Sequence, residues 1–200
     1  MAEESLEKGL VLAGLDALRQ IGGDALVQVI LTQAGKLEFA EAGLPDRVPI
    51  DDYLRYRDTA IGLLQESFCS TAFETGRILV RALRKRNEAQ MKALLAQFGR
   101  AANNLPLIGQ AAVLAAKGNP GSVRATMSGS DTLVITIEDC PECRGLKRET
   151  PFCFLNQGVI TEFAESSLGL RVHTEEKRCI AVGDRACEIE VTLPGDRKED

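Results

Sequence analysis

The sequence predicts an α+β fold in which N-terminal helices pack on an antiparallel sheet. Up to about residue 119 the apolar residues recur at helical spacing, and from residue 122 onward they alternate with polar residues as in strands. A third observation concerns the cysteines, because five of the six lie between positions 140 and 187. This clustering predicts a shared site in the C-terminal half of the chain.

The first helix is predicted from apolar residues at helical spacing between Leu6 and Ile21. It is expected to end at Gly22 and Gly23, because glycine is common just after the end of a helix. Asp24 is the expected cap of a second apolar helix, which runs to about residue 34. The pattern therefore indicates two consecutive helices before the first loop.

A further helix is expected after this loop, capped by Asp51 or Asp52. An apolar stripe between residues 61 and 83 predicts that helical structure continues, with Gly62 and Gly76 as points of close packing or bending. Basic residues at the end of this stripe are expected on a solvated helix face. They are Arg77, Arg81, Arg84, Lys85 and Arg86.

A short, buried helix is predicted between Leu105 and Ala116, where it could line a pocket. The spacing then changes to that of strands at residues 123–127 and 133–137, which are joined by a turn at 128–131. This hairpin would place Cys140 at the end of the sheet. The change of period marks the border between the helical part and the sheet.

Clustered thiolates close disulfides, perform redox chemistry or hold a soft metal such as zinc. The chain begins without a basic segment followed by an apolar one, so nothing marks it for export and a cytoplasmic location is expected. Because the cytoplasm keeps thiols reduced, zinc is the favoured explanation. The sixth cysteine, Cys69, lies next to an apolar helical stripe and is expected to be a small buried side chain.

The first cysteine pair, Cys140 and Cys143, lies in a tight turn with Pro141 and Gly145, which can aim backbone amides at thiolates. A C-x-x-C pair is also typical of a thioredoxin-like redox site. Such a site needs a helix after the pair to activate a thiolate, and the segment that follows Cys143 is too short for one. Metal binding is therefore favoured over redox catalysis.

Three more cysteines are predicted to approach this turn. Cys153 is expected in the first turn of a helix that Thr150 caps and Pro151 begins, where the helix dipole favours a thiolate. Cys179 and Cys187 flank an apolar run and a Gly-Asp turn, which indicates a β-hairpin with the two cysteines opposite each other. That geometry suits two zinc ligands and also suits a cross-strand disulfide.

This C-terminal pattern resembles the 4-vinyl reductase domain family. The recurring elements are a cysteine that opens a helix with a glycine a few residues on, an acidic residue three positions before a second cysteine, a Gly-Asp pair and a third cysteine. In this chain these elements are Cys153, Gly158, Glu176, Cys179, Gly183, Asp184 and Cys187. The resemblance covers the last quarter of the chain densely.

The resemblance implies a ligand-binding fold like that of small TRAPP-complex subunits, and a structural zinc. The zinc ligands that it implies are Cys153, Cys179 and Cys187. The fourth ligand varies in the family, and in this chain Cys140, Cys143 and Glu176 are the candidates. Cys143 or Cys140 is preferred, because a thiolate is a softer ligand for zinc than a carboxylate.

One domain is expected over residues 1–193, with a helical part at 1–119 and a zinc-binding part of hairpin, helix and hairpin at 122–193. Residues 194–200 are polar and expected to form a disordered tail. The formal net charge of -5 argues against a nucleic-acid-binding surface, and no apolar run is long enough to span a bilayer. A homodimer is a further expectation, because sensor domains of this type often pair.

The leading hypothesis is a cytoplasmic sensor or carrier domain whose apolar pocket binds a small hydrophobic molecule, as the resemblance implies. Catalysis is not expected, because the one histidine, His173, lies in a polar-alternating strand and no dinucleotide or phosphate-loop motif occurs. The family name alone supports the alternative, a 4-vinyl reductase or accessory protein that acts on a tetrapyrrole in bacteriochlorophyll or chlorophyll biosynthesis. A zinc-ribbon-like adaptor is disfavoured by the acidic charge and the 4% aromatic content.

Overall fold

Helices make up the N-terminal part of the chain, and an antiparallel sheet forms most of the C-terminal part. The structure is a computed structural model that describes residues 4–40, 44–86, 88, 105–117 and 119–194. The helices in these ranges are α1 (Lys8–Ala34), α2 (Ile50–Leu64), α3 (Phe68–Arg86), α4 (Leu105–Ala116) and α5 (Phe154–Phe163). The strands are β1 (Ser5–Glu7), β2 (Arg47–Pro49), β3 (Ser122–Met127), β4 (Thr132–Glu138), β5 (His173–Arg178) and β6 (Ala186–Thr192). The predicted α+β class is confirmed.

The larger sheet is antiparallel and has the strand order β3-β4-β6-β5. Its two central strands, β4 and β6, alternate buried and half-buried residues, which is the pattern of a sheet with one face against a core. Ile135 pairs with Ile189, and Ile137 pairs with Cys187. This register places the Cys187 thiol on the buried face of the sheet, among the apolar side chains of β4.

The first helix is broken where the sequence predicts a break. Gly23 has a φ of 76° and a ψ of 176°, so the backbone leaves the helical conformation between the two halves of α1. At the end of α1, Gly35 adopts the left-handed conformation, and backbone N–H groups of the cap donate to the Leu31 and Thr32 carbonyls. The glycine pattern therefore predicted both the kink and the end correctly.

Two local expectations for the N-terminal part are wrong. Leu6 does not begin a helix, because it lies in β1, where it pairs with Val48 of β2 in a small two-stranded sheet. The helix after the first loop begins at Ile50 with Pro49 as its N-cap, and no side chain caps it. Asp51 and Asp52 lie in its first turn instead, where their carboxylates interact favourably with the helix dipole.

Helices α3 and α5 are in very close contact through two glycines. A Cβ atom at Gly76 would lie 2.2 Å from the Leu155 carbonyl oxygen, and one at Gly158 would lie 2.0 Å from the Phe73 carbonyl oxygen. Only glycine allows two helix backbones to approach this closely. The predicted close packing at Gly76 is confirmed, whereas a Cβ at Gly62 would meet no described atom within 4 Å.

The basic residues of α3 are not all on a solvated face, contrary to the expectation from the sequence. Arg77 and Arg81 place guanidinium nitrogens 3.0 and 2.9 Å from the buried carboxylate of Glu162 in α5. Burial raises the pKa of Glu162, but the hydrogen bonds from Arg81 and Arg77 outweigh it and the net pKa is lowered. The sequence could not reveal this contact because its partners are separated by more than eighty residues.

The described residues form two apolar clusters that fill the interior. One combines α1, α2 and the small sheet, and the other combines the larger sheet, α5 and the five C-terminal cysteines. None of the described helices is both long and apolar enough to cross a membrane. The expected tail lies almost wholly outside the described residues, since only Pro194 of it is included.

Gly158→Ala is expected to destabilise the protein by about 1–3 kcal/mol or more, because the added methyl group must force the α3 and α5 backbones apart. Chemical denaturation measures the change. Gly62→Ala is the matched control, since that methyl group enters open space and alanine is the better helix former. Equal stabilities of the two variants would contradict the close contact between the helices.

Glu162→Gln is expected to cost roughly 1–3 kcal/mol at neutral pH, because it removes charge-assisted hydrogen bonds to two arginines. The folded-state pKa of Glu162 is lowered, so this contribution is present above the unfolded pKa and is lost as the pH falls through the folded pKa. Denaturation at neutral pH and at about pH 3 should therefore show a difference that shrinks with acid. Glu74→Gln, whose carboxylate is exposed and 3.8 Å from Arg81, should change stability little at either pH.

Candidate metal centre and ligand cavity

The turn after β4 brings the first two cysteines into the interior. The Cys140 carbonyl oxygen accepts hydrogen bonds from the N–H groups of Cys143 and Arg144, at 3.1 and 3.0 Å. Gly145 has a φ of 75°, which lies in the left-handed region that favours glycine. Both thiols are fully buried. Residues 140–145 therefore form a compact turn, which we call the cysteine turn.

Cys153 lies three positions earlier relative to its helix than expected, as the N-cap rather than the third helical residue. Helix α5 begins at Phe154, and Cys153 is its N-cap residue. Thr150 and Pro151 precede the helix and neither caps nor begins it, so that prediction is wrong. The reason is tertiary, because the Cys153 N–H donates to Glu176 Oε2 at 2.7 Å and fixes the chain before the helix.

Strands β5 and β6 pair antiparallel as the predicted hairpin, and Cys179 directly follows β5 while Cys187 lies in β6. Strand β5 ends at Arg178 after an irregular register, and a 3-10 turn follows at Ile180–Val182. The Asp184 carboxylate accepts the Cys179 N–H at 2.8 Å, and the Ile180 N–H donates to Cys187 Sγ at 3.4 Å. The Gly-Asp signal therefore marks a turn whose side chain supports one cysteine directly.

The sulfur atoms from these segments converge. Cys143 Sγ is 3.2 Å from Cys153 Sγ and 3.4 Å from Cys179 Sγ. All six cysteines of the chain are free. For Zn–S bonds of about 2.3 Å, a tetrahedral site needs sulfurs roughly 3.8 Å apart, so a small expansion of the cluster accommodates zinc. The donor atoms of five buried residues all lie within 4.8 Å of one another: Cys143, Cys153, Glu176, Cys179 and Cys187.

The buried thiols shift one another's pKa in opposite directions. A hydrogen bond with Cys143 lowers the pKa of Cys140, and one with the same residue lowers the pKa of Cys179 to about 6. Hydrogen bonds with Cys140 raise the pKa of Cys143 and of Cys153. Protonated thiols of the cluster therefore donate hydrogen bonds to neighbouring thiolates. All of the thiols could ionise together only beside a cation.

Glu176 is the one acidic side chain in this group, and half of its carboxyl lacks a partner. Its Oε2 accepts the Cys153 N–H, whereas its Oε1 is buried and has no hydrogen-bond partner among the described residues. Burial raises the pKa of Glu176 to about 9. A buried carboxylate oxygen without a donor is costly unless a cation lies beside it, so this atom fits a metal site.

Cys140 occupies a different position from the other four C-terminal cysteines. Its Sγ is 3.5 Å from Cys153 Sγ, and Asn156 Nδ2 donates to it at 3.6 Å. It lies outside the group of donor atoms that share one 4.8 Å neighbourhood. Cys69 is half-buried on α3 rather than fully buried, and His173 is exposed on β5, so neither belongs to the cluster.

A cavity of about 260 Å³ lies between the two apolar clusters. Its wall is mainly aliphatic and draws on helices α1 to α5 and on strands β1, β3 and β4. Helix α4 contributes Ala112, Ala115 and Ala116, so the helix predicted near a pocket does line one. The cysteine turn also forms part of the wall, through Pro141 and Glu142.

Sequence reasoning missed the polar contacts that hold the cysteine turn against α2. The Tyr53 hydroxyl donates to Glu142 Oε1. The buried Arg57 donates through Nη1 to the Pro141 carbonyl oxygen at 2.6 Å and through Nη2 to the Arg144 carbonyl oxygen at 2.9 Å. Burial raises the pKa of both Tyr53 and Glu142. The only sign of these contacts in the sequence was Arg57, a charged residue at a buried position of α2.

Comparison with known families and curated proteins matches the C-terminal part of the chain. The family model of the 4-vinyl reductase domain matches residues 133–193, which confirms the resemblance to that family. The uncharacterized protein MJ0745 of Methanocaldococcus jannaschii is 37% identical over 61 residues, which are 30% of this chain and 34% of that protein. The match thus spans about a third of that relative's length.

Comparison with solved structures matches nearly the whole chain. An H-NOX protein mutant from K. algicida in the unliganded Fe(II) state has a TM-score of 0.67 and 8% identity, covering 96% of this chain and 98% of that one. An oxygen-binding H-NOX domain related to soluble guanylate cyclases has a TM-score of 0.65 and 11% identity, with coverages of 94% and 95%. An H-NOX protein from S. oneidensis in the Fe(II)NO state has a TM-score of 0.62 and 11% identity, with coverages of 94% and 99%.

These likenesses establish an H-NOX-like α+β fold and nothing about the ligand, because identities near 10% carry the fold alone. The expected likeness to small TRAPP-complex subunits stays a prediction. The family match covers the segment that contains all five donor residues and Cys140 as well.

Proposed function

We propose that this chain, whose residues 133–193 match the 4-vinyl reductase domain, is a sensor or carrier domain that binds a small apolar molecule and is stabilised by zinc. One observation carries the proposal. The wall of the 260 Å³ apolar cavity includes the turn whose cysteines contribute to the buried sulfur cluster. The ligand and the metal would therefore stabilise the same part of the fold from opposite sides.

The donor set supports a closed, structural metal site. Zinc in structural sites is held by four ligands, mostly cysteine thiolates, whereas catalytic zinc keeps one open position. We assign the four ligands to Cys143, Cys153, Cys179 and Cys187, which come from four separate segments of the chain. Glu176 is the alternative fourth ligand, and Cys140 would remain outside the site as a neighbouring thiol.

The size of the cavity supports a small ligand. A cavity of about 150 Å³ binds benzene, so by proportion one of 260 Å³ admits a ligand of roughly ten heavy atoms. A tetrapyrrole has several times that number, and the volume therefore weighs against the alternative function in bacteriochlorophyll or chlorophyll biosynthesis. The described residues that line the cavity are mainly apolar, which favours a neutral molecule.

We do not propose haem as the ligand of this chain, although haem is described for the H-NOX family. Haem iron is bound by His, Cys, Met or Tyr side chains. Among the described residues of the cavity wall there is no His, Cys or Met. Burial raises the pKa of both wall tyrosines, Tyr53 and Tyr56, which opposes the tyrosinate that would bind iron.

The cytoplasm is the compartment we propose for this protein. The five clustered cysteines and Cys69 are all free thiols. A zinc site built from such thiols needs reducing conditions, because an oxidising compartment would favour disulfides between sulfurs this close.

Cys179→Ser is expected to lower zinc content and stability together, because metal binding and folding of such sites are coupled. The expected loss is about 4 kcal/mol, the stabilisation that a metal at a thousand times its Kd supplies. Elemental analysis of the purified protein and chemical denaturation measure the two quantities. Cys69→Ser is the matched control, because this half-buried cysteine lies outside the cluster and should leave zinc content unchanged.

The same assay assigns the fourth ligand. If Cys143 binds the metal, Cys143→Ser should lose zinc as Cys179→Ser does, while Glu176→Gln and Cys140→Ser keep it. Loss of zinc in Glu176→Gln with retention in Cys143→Ser would assign the carboxylate instead. Full zinc occupancy in Cys179→Ser would overturn the site.

Ala112→Phe is expected to block the cavity, because Ala112 lies on its wall and phenylalanine fills space that the ligand would occupy. Native mass spectrometry should detect a small molecule with the wild-type protein and lose it, by at least about tenfold, in the variant. Ala111→Phe is the control on the same helix, since the neighbouring Ala111 does not line the cavity. Equal ligand retention in both variants would contradict the proposed pocket.

A further inference from the structure

Thr75 on α3 has a buried hydroxyl to which no described residue hydrogen-bonds. The residue is 6% exposed, and its Oγ1 has no hydrogen-bond partner among the described residues. A threonine inside a helix can point to solvent or donate to the carbonyl of the preceding turn. Thr59 Oγ1 does so with the Arg55 oxygen at 2.9 Å, and Thr32 Oγ1 does so with the Gln28 oxygen at 2.7 Å. Thr75 is therefore an exception that needs an explanation.

The hydroxyl lies where the cavity has its few polar groups. Thr75 lines the 260 Å³ cavity and also a smaller neighbouring one of about 40 Å³. The two cavities share five wall residues: Tyr53, Tyr56, Thr75, Glu142 and Leu155. The shared wall of this mainly aliphatic space thus carries several polar side chains, and a ligand in the space would place its polar group there.

Several other polar groups on the wall already have partners. The Tyr53 hydroxyl donates to Glu142, and Asn156 Nδ2 donates to Cys140 Sγ. Asn119 Oδ1 accepts the Glu7 N–H at 3.2 Å. Thr75 Oγ1 differs from these groups, because burial removes it from water without giving it a partner among the described residues. A ligand that supplied this partner would gain affinity from the pairing.

We infer that Thr75 binds a hydroxyl group of the ligand, which makes the ligand a small apolar alcohol or phenol. The inference rests on the proposed function and specifies its ligand class. A hydroxyl group can accept from Thr75 and at the same time donate to the Glu142 carboxyl at the same end of the cavity. A ketone or ether could also accept from Thr75, but it has no hydrogen to donate to Glu142.

The test compares two probes of the same shape, cyclohexanol and methylcyclohexane, with the wild-type protein and with Thr75→Val. Valine replaces the threonine hydroxyl by a methyl group, and methylcyclohexane does the same for the ligand. Thr75→Val is expected to weaken cyclohexanol binding by about three- to tenfold and to leave methylcyclohexane binding unchanged or tighter. Titration calorimetry or ligand-observed NMR measures the four affinities.

Two further variants keep the outcome interpretable. Thr75→Ser retains the hydroxyl and should restore cyclohexanol binding, while Thr59→Val removes a hydroxyl that already has a partner and should alter neither probe's affinity. Thr75→Val is expected to fold at least as stably as the wild type, because it removes a buried hydroxyl for which no described residue is a partner.

The possible failures are distinguishable. If Thr75→Val changes the affinity of both probes by the same factor, or of neither, the inference about Thr75 is wrong and the apolar pocket stands. If neither probe binds the wild-type protein up to its solubility limit, the proposed ligand-binding function fails together with the inference.

Discussion

The convergence of five buried thiols and one carboxyl is the constraint on which the C-terminal half depends. These groups come from the cysteine turn, the start of α5, the end of β5 and the start of β6, and the five thiols are all fully buried. So many ionisable groups cannot share a dry volume as anions unless a cation balances them. If the proposed metal binds here, it balances the charge of the thiolates and fixes the relative placement of the four segments.

The cysteine turn connects the thiol cluster to the cavity. Pro141 and Glu142 line the cavity, while Cys140 and Cys143 on either side of them belong to the buried cluster of cysteines. Helix α2 of the N-terminal half holds the turn through hydrogen bonds to Glu142 and to the Pro141 carbonyl. If the metal orders this turn, it also orders one wall of the pocket, so metal and ligand should each raise the affinity for the other. This coupling follows from shared geometry and requires no change of fold.

Patterns within one segment predicted well, and contacts between segments did not. The glycines of α1, the close approach at Gly76 and the change from helix to strand period could all be predicted, because each is a property of local backbone or spacing. The N-cap of α5 could not, because a distant carboxylate, Glu176, overrides the Thr-Pro signal by binding the Cys153 N–H. The convergence of the five cysteines could be predicted, because cysteine is rare enough for a cluster to imply a common partner. Glu142 and Tyr53 are common residues, and their contact depends on the whole fold.

The division of the chain into two parts explains why the family match is short while the fold match is long. The family match is confined to residues 133–193, which contain the donor cluster, whereas much of the cavity wall lies outside it, on α1, α2, α3 and α4. Maintaining a metal-supported scaffold needs particular residues at particular spacings, because donor geometry tolerates little change. An apolar wall needs only suitable volume and can be rebuilt from many side chains. Ligand specificity would then reside in the helical half, where a single polar group such as Thr75 can set it.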